Sequence, residues 1–324
     1  MVVAAAFLIA SVLGAVHHAE VISHRVGEPF GALVLAISIT IIEASIIVSL
    51  MLAEGDHSAT LARDTVFAAV MIILTGMMGA TLLIGGIKFK EQSFNTDGVS
   101  SYLTVLVAIS VLTLVLPNYT EAVKGPYYST AQLIFVAVVT LVLYFVFLFV
   151  QNFRHKTYFL VEEDTTDSLH KPTNAQAALS LVCLLLNLTA VVLLAESLAP
   201  NLDAFVVKIG APPSLSGIII AMVILLPEGI SAIKAASANK MQKSLNLSLG
   251  SALASISLTI PVVAFISLFV QKPLALGIDT EETVLFLLAL FVMILCLSKG
   301  KTTILQGLVL LILFCVYLFI TIFP

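Results

Sequence analysis

The chain has 324 residues, of which 60% are hydrophobic and 10% charged, with a formal net charge of −4 and a mean hydropathy of +1.13. This composition excludes a soluble domain, and the charges fall in connections too short to form one. The chain reads as an all-α polytopic membrane protein whose macromolecular partner is the lipid bilayer and not nucleic acid.

A spanning helix needs about 20 mostly apolar residues, and ten such segments follow one another: 2–20, 29–52, 64–87, 100–118, 130–152, 176–198, 214–236, 246–270, 283–298 and 302–323. The first begins MVVAAAFLIASVLGAV without a basic leader, so it is expected to be a membrane helix and not a signal peptide. Its end gathers His17, His18, Glu20, His24 and Arg25, an interfacial helix end whose histidines could also pass protons or hold a transition metal.

The second segment opens with Gly27-Glu28-Pro29-Phe30-Gly31 and carries Glu43 deep within it. Thr40 precedes Glu43 by three residues, so both share one helix face. A carboxylate at such depth costs about 2.5–3.5 kcal/mol on insertion scales. The third segment, VFAAVMIILTGMMGATLLIGG, has Thr75 as its mid-span hydroxyl, next to Gly76 and Gly79.

After the fifth segment comes the longest polar stretch, 154–175, with an acidic run at Glu162, Glu163, Asp164 and Asp167 that reads as a solvated loop. It separates a first five-helix repeat, 1–153, from a second, 176–324. Five is odd, so the second repeat enters the membrane upside down, and such folds bind substrate near the midplane between halves. The sixth segment ends in Ala195-Glu196 as the first ends in Ala19-Glu20, a shift of 176 residues. The seventh contains Pro227-Glu228-Gly229, and a shift of 185 residues places Glu43 on Glu228 and Ala36 on Ala221. Pro227 removes a backbone donor and frees the carbonyl near Val223, a candidate ligand for a hard cation.

The eighth segment carries Ser244, Ser248, Ser251, Ser255 and Thr259 at steps of four, three, four and four, which is one helix face. Ser251 and Ser255 fall mid-span and are expected to face the site, and Gly250 is expected to allow close helix approach. Cys183, Cys296 and Cys315 all lie in apolar spans and read as small fillers. Lys and Arg divide eleven to four between alternate connections. By the positive-inside rule both termini are then outside the cell and the 154–175 loop is cytoplasmic, in the inner (plasma) membrane.

Two buried carboxylates match one divalent cation, or protons in its absence, so cation and protons compete for the same oxygens. The expected site is Glu43, Glu228, Thr40, Ser251 and Ser255, with Glu20 and Glu196 as way-stations for protons near the two mouths. No catalytic residue and no cofactor is expected. The spans show no paired aspartates, no serine–histidine arrangement and no His-Glu-x-x-His, so an intramembrane enzyme is not the expectation.

The segments around Thr40-Ile41-Ile42-Glu43, Leu225-Leu226-Pro227-Glu228-Gly229, Asn239-Lys240-Met241 and Leu249-Gly250-Ser251 resemble the two alpha repeats of the cation/calcium exchanger superfamily, and most of all bacterial calcium/proton antiporters. The resemblance implies ten core helices in two inverted halves, with the repeat glutamates binding the transported ion. It also implies Ca²⁺ export in exchange for H⁺, with Na⁺(K⁺)/H⁺ exchange on the same scaffold as the alternative. Where many calcium/proton exchangers read Gly-Asn-Ala-x-Glu, this chain has no amide beside either glutamate.

Overall fold

The computed structural model describes residues 2–27, 37–38, 40–41, 43–48, 58–160, 172–208, 210, 212 and 214–323. Among the described residues nine helices are long and apolar enough to cross a bilayer: Val3–Val26, Ala59–Phe89, Thr96–Tyr119, Thr130–Arg154, Asn174–Ala195, Ser214–Ser237, Met241–Val270, Thr280–Leu297 and Ile304–Ile322. The remaining expected span, 29–52, is described only at residues 37–38, 40–41 and 43–48, which are helical. The acidic run of the central loop lies outside the described residues.

Two boundaries differ from expectation. The first helix continues to Val26 and is closed by Gly27, which adopts φ +76° while its amide donates to the Ser23 carbonyl at 2.8 Å. That left-handed C-terminal position is one that glycine fills without a Cβ clash. The sixth helix runs to Lys208, because Leu202, Phe205 and Val206 prolong its apolar character.

The two halves share several local devices in order, although the π turns at Val111–Val115 and Val150–Arg154 belong to the first half alone among the described residues. A π turn interrupts the third helix at Ile72–Met77 and the eighth at Ser255–Thr259, a shift of 183 between their first residues. Asn95 caps the following helix of the first half through the amides of Asp97 and Gly98. Asp279 caps the matching helix of the second half within a capping box closed by Glu282. The last helix of each half starts with a capping box as well, Ser129 with Gln132 and Thr303 with Gln306.

The connections also correspond. Gln92–Ser93 pairs antiparallel with Lys301–Thr302, and Tyr127 bridges Ala275. These are the same pair of loops with the halves exchanged, and they lie at opposite ends of the bundle. Helix contacts are exchanged in the same way. Met78–Phe89 packs on Ile304–Ile322, while Ile260–Val270 packs on Thr130–Phe149. Val2–Val26 and Asn174–Lys208, equivalent helices, form the most extensive pairing among the described residues. Two halves joined by mutual exchange of partners constitute the inverted repeat.

The third and eighth helices form the middle of the main apolar core, where Phe67 meets Phe286 and Tyr317 edge-on at 5.7 and 5.6 Å between ring centroids. Backbones approach closely where the third and tenth helices cross. A Cβ at Gly79 would lie 2.8 Å from the Leu311 amide nitrogen, one at Gly86 2.6 Å from that of Ile304, and one at Gly307 would strike the Leu83 backbone. Small residues permit such crossings in membranes. Gly250 does not have the expected role, since a Cβ there would meet the Tyr102 ring only at an ordinary 3.7 Å.

Candidate functional site

The helical residues 43–48 and the helix Ser214–Ser237 bring Glu43 and Glu228 to the same buried region, where Glu43 is 3% and Glu228 7% exposed. The Ser255 hydroxyl straddles the Glu43 carboxylate, 2.6 Å from Oε1 and 2.8 Å from Oε2. Ser255 opens the π turn of the eighth helix, so that turn aims a hydroxyl from the second half at the glutamate of the first. Thr40, one turn before Glu43, is buried with it.

Glu228 has different surroundings. Both of its carboxylate oxygens are buried, and no other residue donates to them, its own backbone amide being the one donor near by. Glu43 and Glu20 lie within electrostatic reach of it, and Met77 of the third helix packs beside Gly229. Pro227 stands inside the helix without ending it, and deprives the Val223 carbonyl of its donor. A carboxylate buried among other carboxylates without a donor from another residue needs a compensating positive charge, from a cation or a proton. Together the two glutamates, the Ser255 hydroxyl and a proline-freed carbonyl supply the kind of oxygens that hold hard cations.

The expected residues are thus brought together unevenly. Glu43, Glu228, Thr40 and Ser255 converge. Glu20 is half-buried on the Glu228 side. Ser251 is half-buried one turn before Ser255, and the hydroxyl that reaches Glu43 is that of Ser255. The side chain of Glu196 lies outside the described residues.

Beside the glutamates is an apolar cavity of about 130 Å³, lined by Leu8, Val12, Ile46, Leu198, Val223 and Ile224 among others. Ile46 and Ile224 stand one helical turn from Glu43 and Glu228, so aliphatic side chains border the site on this side.

The ends of the bundle carry groups that sequence reasoning did not join. At the Tyr127–Ala275 end, Arg63 binds Asp64 at 2.7 Å and the Gly277 carbonyl at 2.7 Å, with Asp279 at 3.7 Å. Its signal in the sequence was a single Arg-Asp pair at the start of an apolar span, whose partners lie more than two hundred residues away. Tyr128 at this end donates to the Leu112 carbonyl at 2.6 Å, and burial pushes its phenol up to about 12. At the Gln92–Thr302 end the equivalent groups are amides. Gln92 donates to the Ala236 carbonyl and to Asn239, Gln242 accepts from the Asn95 amide, and Asn246 donates to the Phe159 carbonyl at 2.8 Å.

Comparison with known proteins agrees with this architecture. The model of the sodium/calcium exchanger protein family matches residues 1–153 and 179–323. A protein of Sinorhizobium fredii named as an ionic transporter, y4hA, is 46% identical over 327 residues, covering 100% of this chain and 89% of the relative. The sodium-potassium/proton antiporter ChaA of Escherichia coli is 36% identical over 316 residues, covering 96% of this chain and 85% of the relative. Among solved structures, that of the H⁺/Ca²⁺ exchanger CAX superposes with a TM-score of 0.76 at 17% identity over 98% of this chain and 80% of that one, a likeness of fold. The chain belongs to the sodium/calcium exchanger family, and is a multi-pass membrane protein of a transporter family.

Proposed function

We propose that this protein is a secondary active antiporter that exports Ca²⁺ from the cytoplasm in exchange for H⁺. The observation that carries this reading is the convergence of Glu43 and Glu228, from two inverted halves, in one buried site with a hydroxyl on the first and no donor from another residue on the second. A doubly charged, dry site is unfavourable without a positive charge, so it switches between faces only when filled. Cation from the cytoplasm displaces protons, the site opens outward, and external protons displace the cation. Competition for shared oxygens couples the two flows without a separate proton wire.

The eleven-to-four division of Lys and Arg supports both termini outside and the central loop in the cytoplasm of the inner membrane. In that orientation Arg63 and its carboxylates stand at the outer face and the amide cluster at the inner face. Glu20 and Glu196 serve as proton way-stations at opposite mouths.

A second reading, Na⁺(K⁺)/H⁺ exchange, is favoured by one observation: the relative at 36% identity is named for sodium, potassium and protons. The absence of an amide beside either glutamate agrees with it. Both readings are tested by following an internal pH dye in proteoliposomes while Ca²⁺, Na⁺, K⁺ or Mg²⁺ is added. Proton movement saturating at micromolar Ca²⁺ is expected. A response to millimolar Na⁺ or K⁺ alone would select the second reading, and no response to any cation would overturn both.

A further inference from the structure

Helical threonines in this protein rest their hydroxyls on the backbone. Thr65 donates to the Leu61 carbonyl, Thr75 to Met71, Thr113 to Ile109, Thr189 to Leu185 and Thr321 to Tyr317. That bond to the carbonyl four residues earlier satisfies a hydroxyl removed from water. Two buried threonines, Thr140 and Thr259, depart from the pattern, since neither hydroxyl rests on a backbone carbonyl. Of the two, Thr259 is the one that stands beside Glu43.

Its position is specific. Thr259 closes the π turn that Ser255 opens, on the face that Ser255 presents to Glu43. Its hydroxyl is turned toward the Glu43 carboxylate as a weaker second donor after Ser255. The matching threonine of the other half, Thr75, lies in the matching π turn, equally buried, with its hydroxyl bonded to Met71 at 2.5 Å. The two residues share type, turn and burial. One hydroxyl rests on the backbone and the other is turned toward a site carboxylate. A buried hydroxyl without a backbone bond costs stability; Ser110, Thr140, Ser244, Ser248 and Ser257 share that state, and the approach to Glu43 is what sets Thr259 apart.

We propose that Thr259 is a ligand of the transported cation, offering its hydroxyl oxygen beside the Glu43 carboxylate. The proposal rests on the antiporter reading. It makes the second half's π turn the source of two hydroxyls, those of Ser255 and Thr259, at the first half's glutamate.

Thr259→Val tests it, because valine keeps the shape and removes a hydroxyl whose one approach is to Glu43. The variant should keep the wild-type melting temperature or exceed it. Its KM for the transported cation should rise about tenfold, the scale of one lost polar contact, with kcat within about twofold. The midpoint of cation-induced thermal stabilisation in detergent should move by the same factor, and Thr259→Ser should restore both. Thr75→Val should lower the melting temperature and leave KM unchanged. Glu43→Gln in parallel separates the two claims. If it is inactive while Thr259→Val keeps the wild-type KM, the ligand proposal falls and the antiporter reading stands. If Glu43→Gln exchanges normally, the antiporter reading falls and the proposal with it. Loss of monodisperse protein in both Thr259→Val and Thr259→Ala would make the residue a packing element and also overturn the proposal.

Discussion

Glu43 and Glu228 hold the same position in two copies of one motif, yet the eighth helix gives Glu43 a hydroxyl and the third helix gives Glu228 none. A shift of 184 residues carries Ser255 onto Met71 and Thr259 onto Thr75, so the first half places a thioether and a back-bonded threonine where the second places two hydroxyls. The ends of the bundle differ as well, with buried Arg63 and its carboxylates at one and an amide cluster with an exposed Lys301–Glu91 pair at the other. Inverted symmetry sets the backbone and the two carboxylates. The side chains around them are free to diverge, and that divergence is where selectivity and direction can be tuned.

The largest effects should come from what the halves share. Glu43→Gln and Glu228→Gln should each lower cation-dependent proton movement more than about 100-fold while the protein still elutes as a folded species, since each removes half of the negative charge that holds the cation. If one variant stays active, the two glutamates are not equal partners in one site. Next in size are the ends. Arg63→Ala leaves half-buried Asp64 without its cation and should cost about 2 kcal/mol, read as a fall in melting temperature. The pair Arg63→Met with Asp64→Leu should recover most of it, because a buried ion pair is replaceable by apolar groups of similar size. Asn246→Ala at the amide end breaks a neutral bond to the Phe159 carbonyl, and should cost less, about 1 kcal/mol.

Ser255→Ala sharpens the comparison at the site by making the surroundings of Glu43 resemble those of Glu228. Removing one hydroxyl on a charged group is worth about 1.5–3 kcal/mol, so the KM for the transported cation should rise about tenfold or more. An unchanged KM would mean that the hydroxyl only fastens the helix. A Ser251→Ala variant, one turn away, should change KM by less than about threefold, since the hydroxyl bonded to Glu43 is that of Ser255.

Much of this was legible in the chain. Runs of apolar residues marked nine of the described helices because the bilayer demands length and hydropathy before anything else. Glu43 and Glu228 stood out because a carboxylate is conspicuous in such a run. The π turns were not legible, since Gly76 within Ile72–Met77 and Pro261 just beyond Ser255–Thr259 mark a weak point without fixing where the extra residue falls, which the packed bundle selects. Gly250 looked like a close-approach residue by its place in a polar helix, whereas Gly79, Gly86 and Gly307 have that role because of a crossing between the third and tenth helices. The choice of Ser255 over Ser251, and the network around Arg63, depend on contacts between residues about two hundred apart. Spacing along one helix gives the face and not the partner.

The central claim is that two glutamates from inverted halves make one cation site. Equilibrium binding of radiolabelled transported cation to purified protein tests it most directly. The account predicts one ion per chain in the wild type, and loss of that ion in Glu43→Gln and in Glu228→Gln alike. Two ions per chain with one lost in each variant would show two separate sites and contradict it.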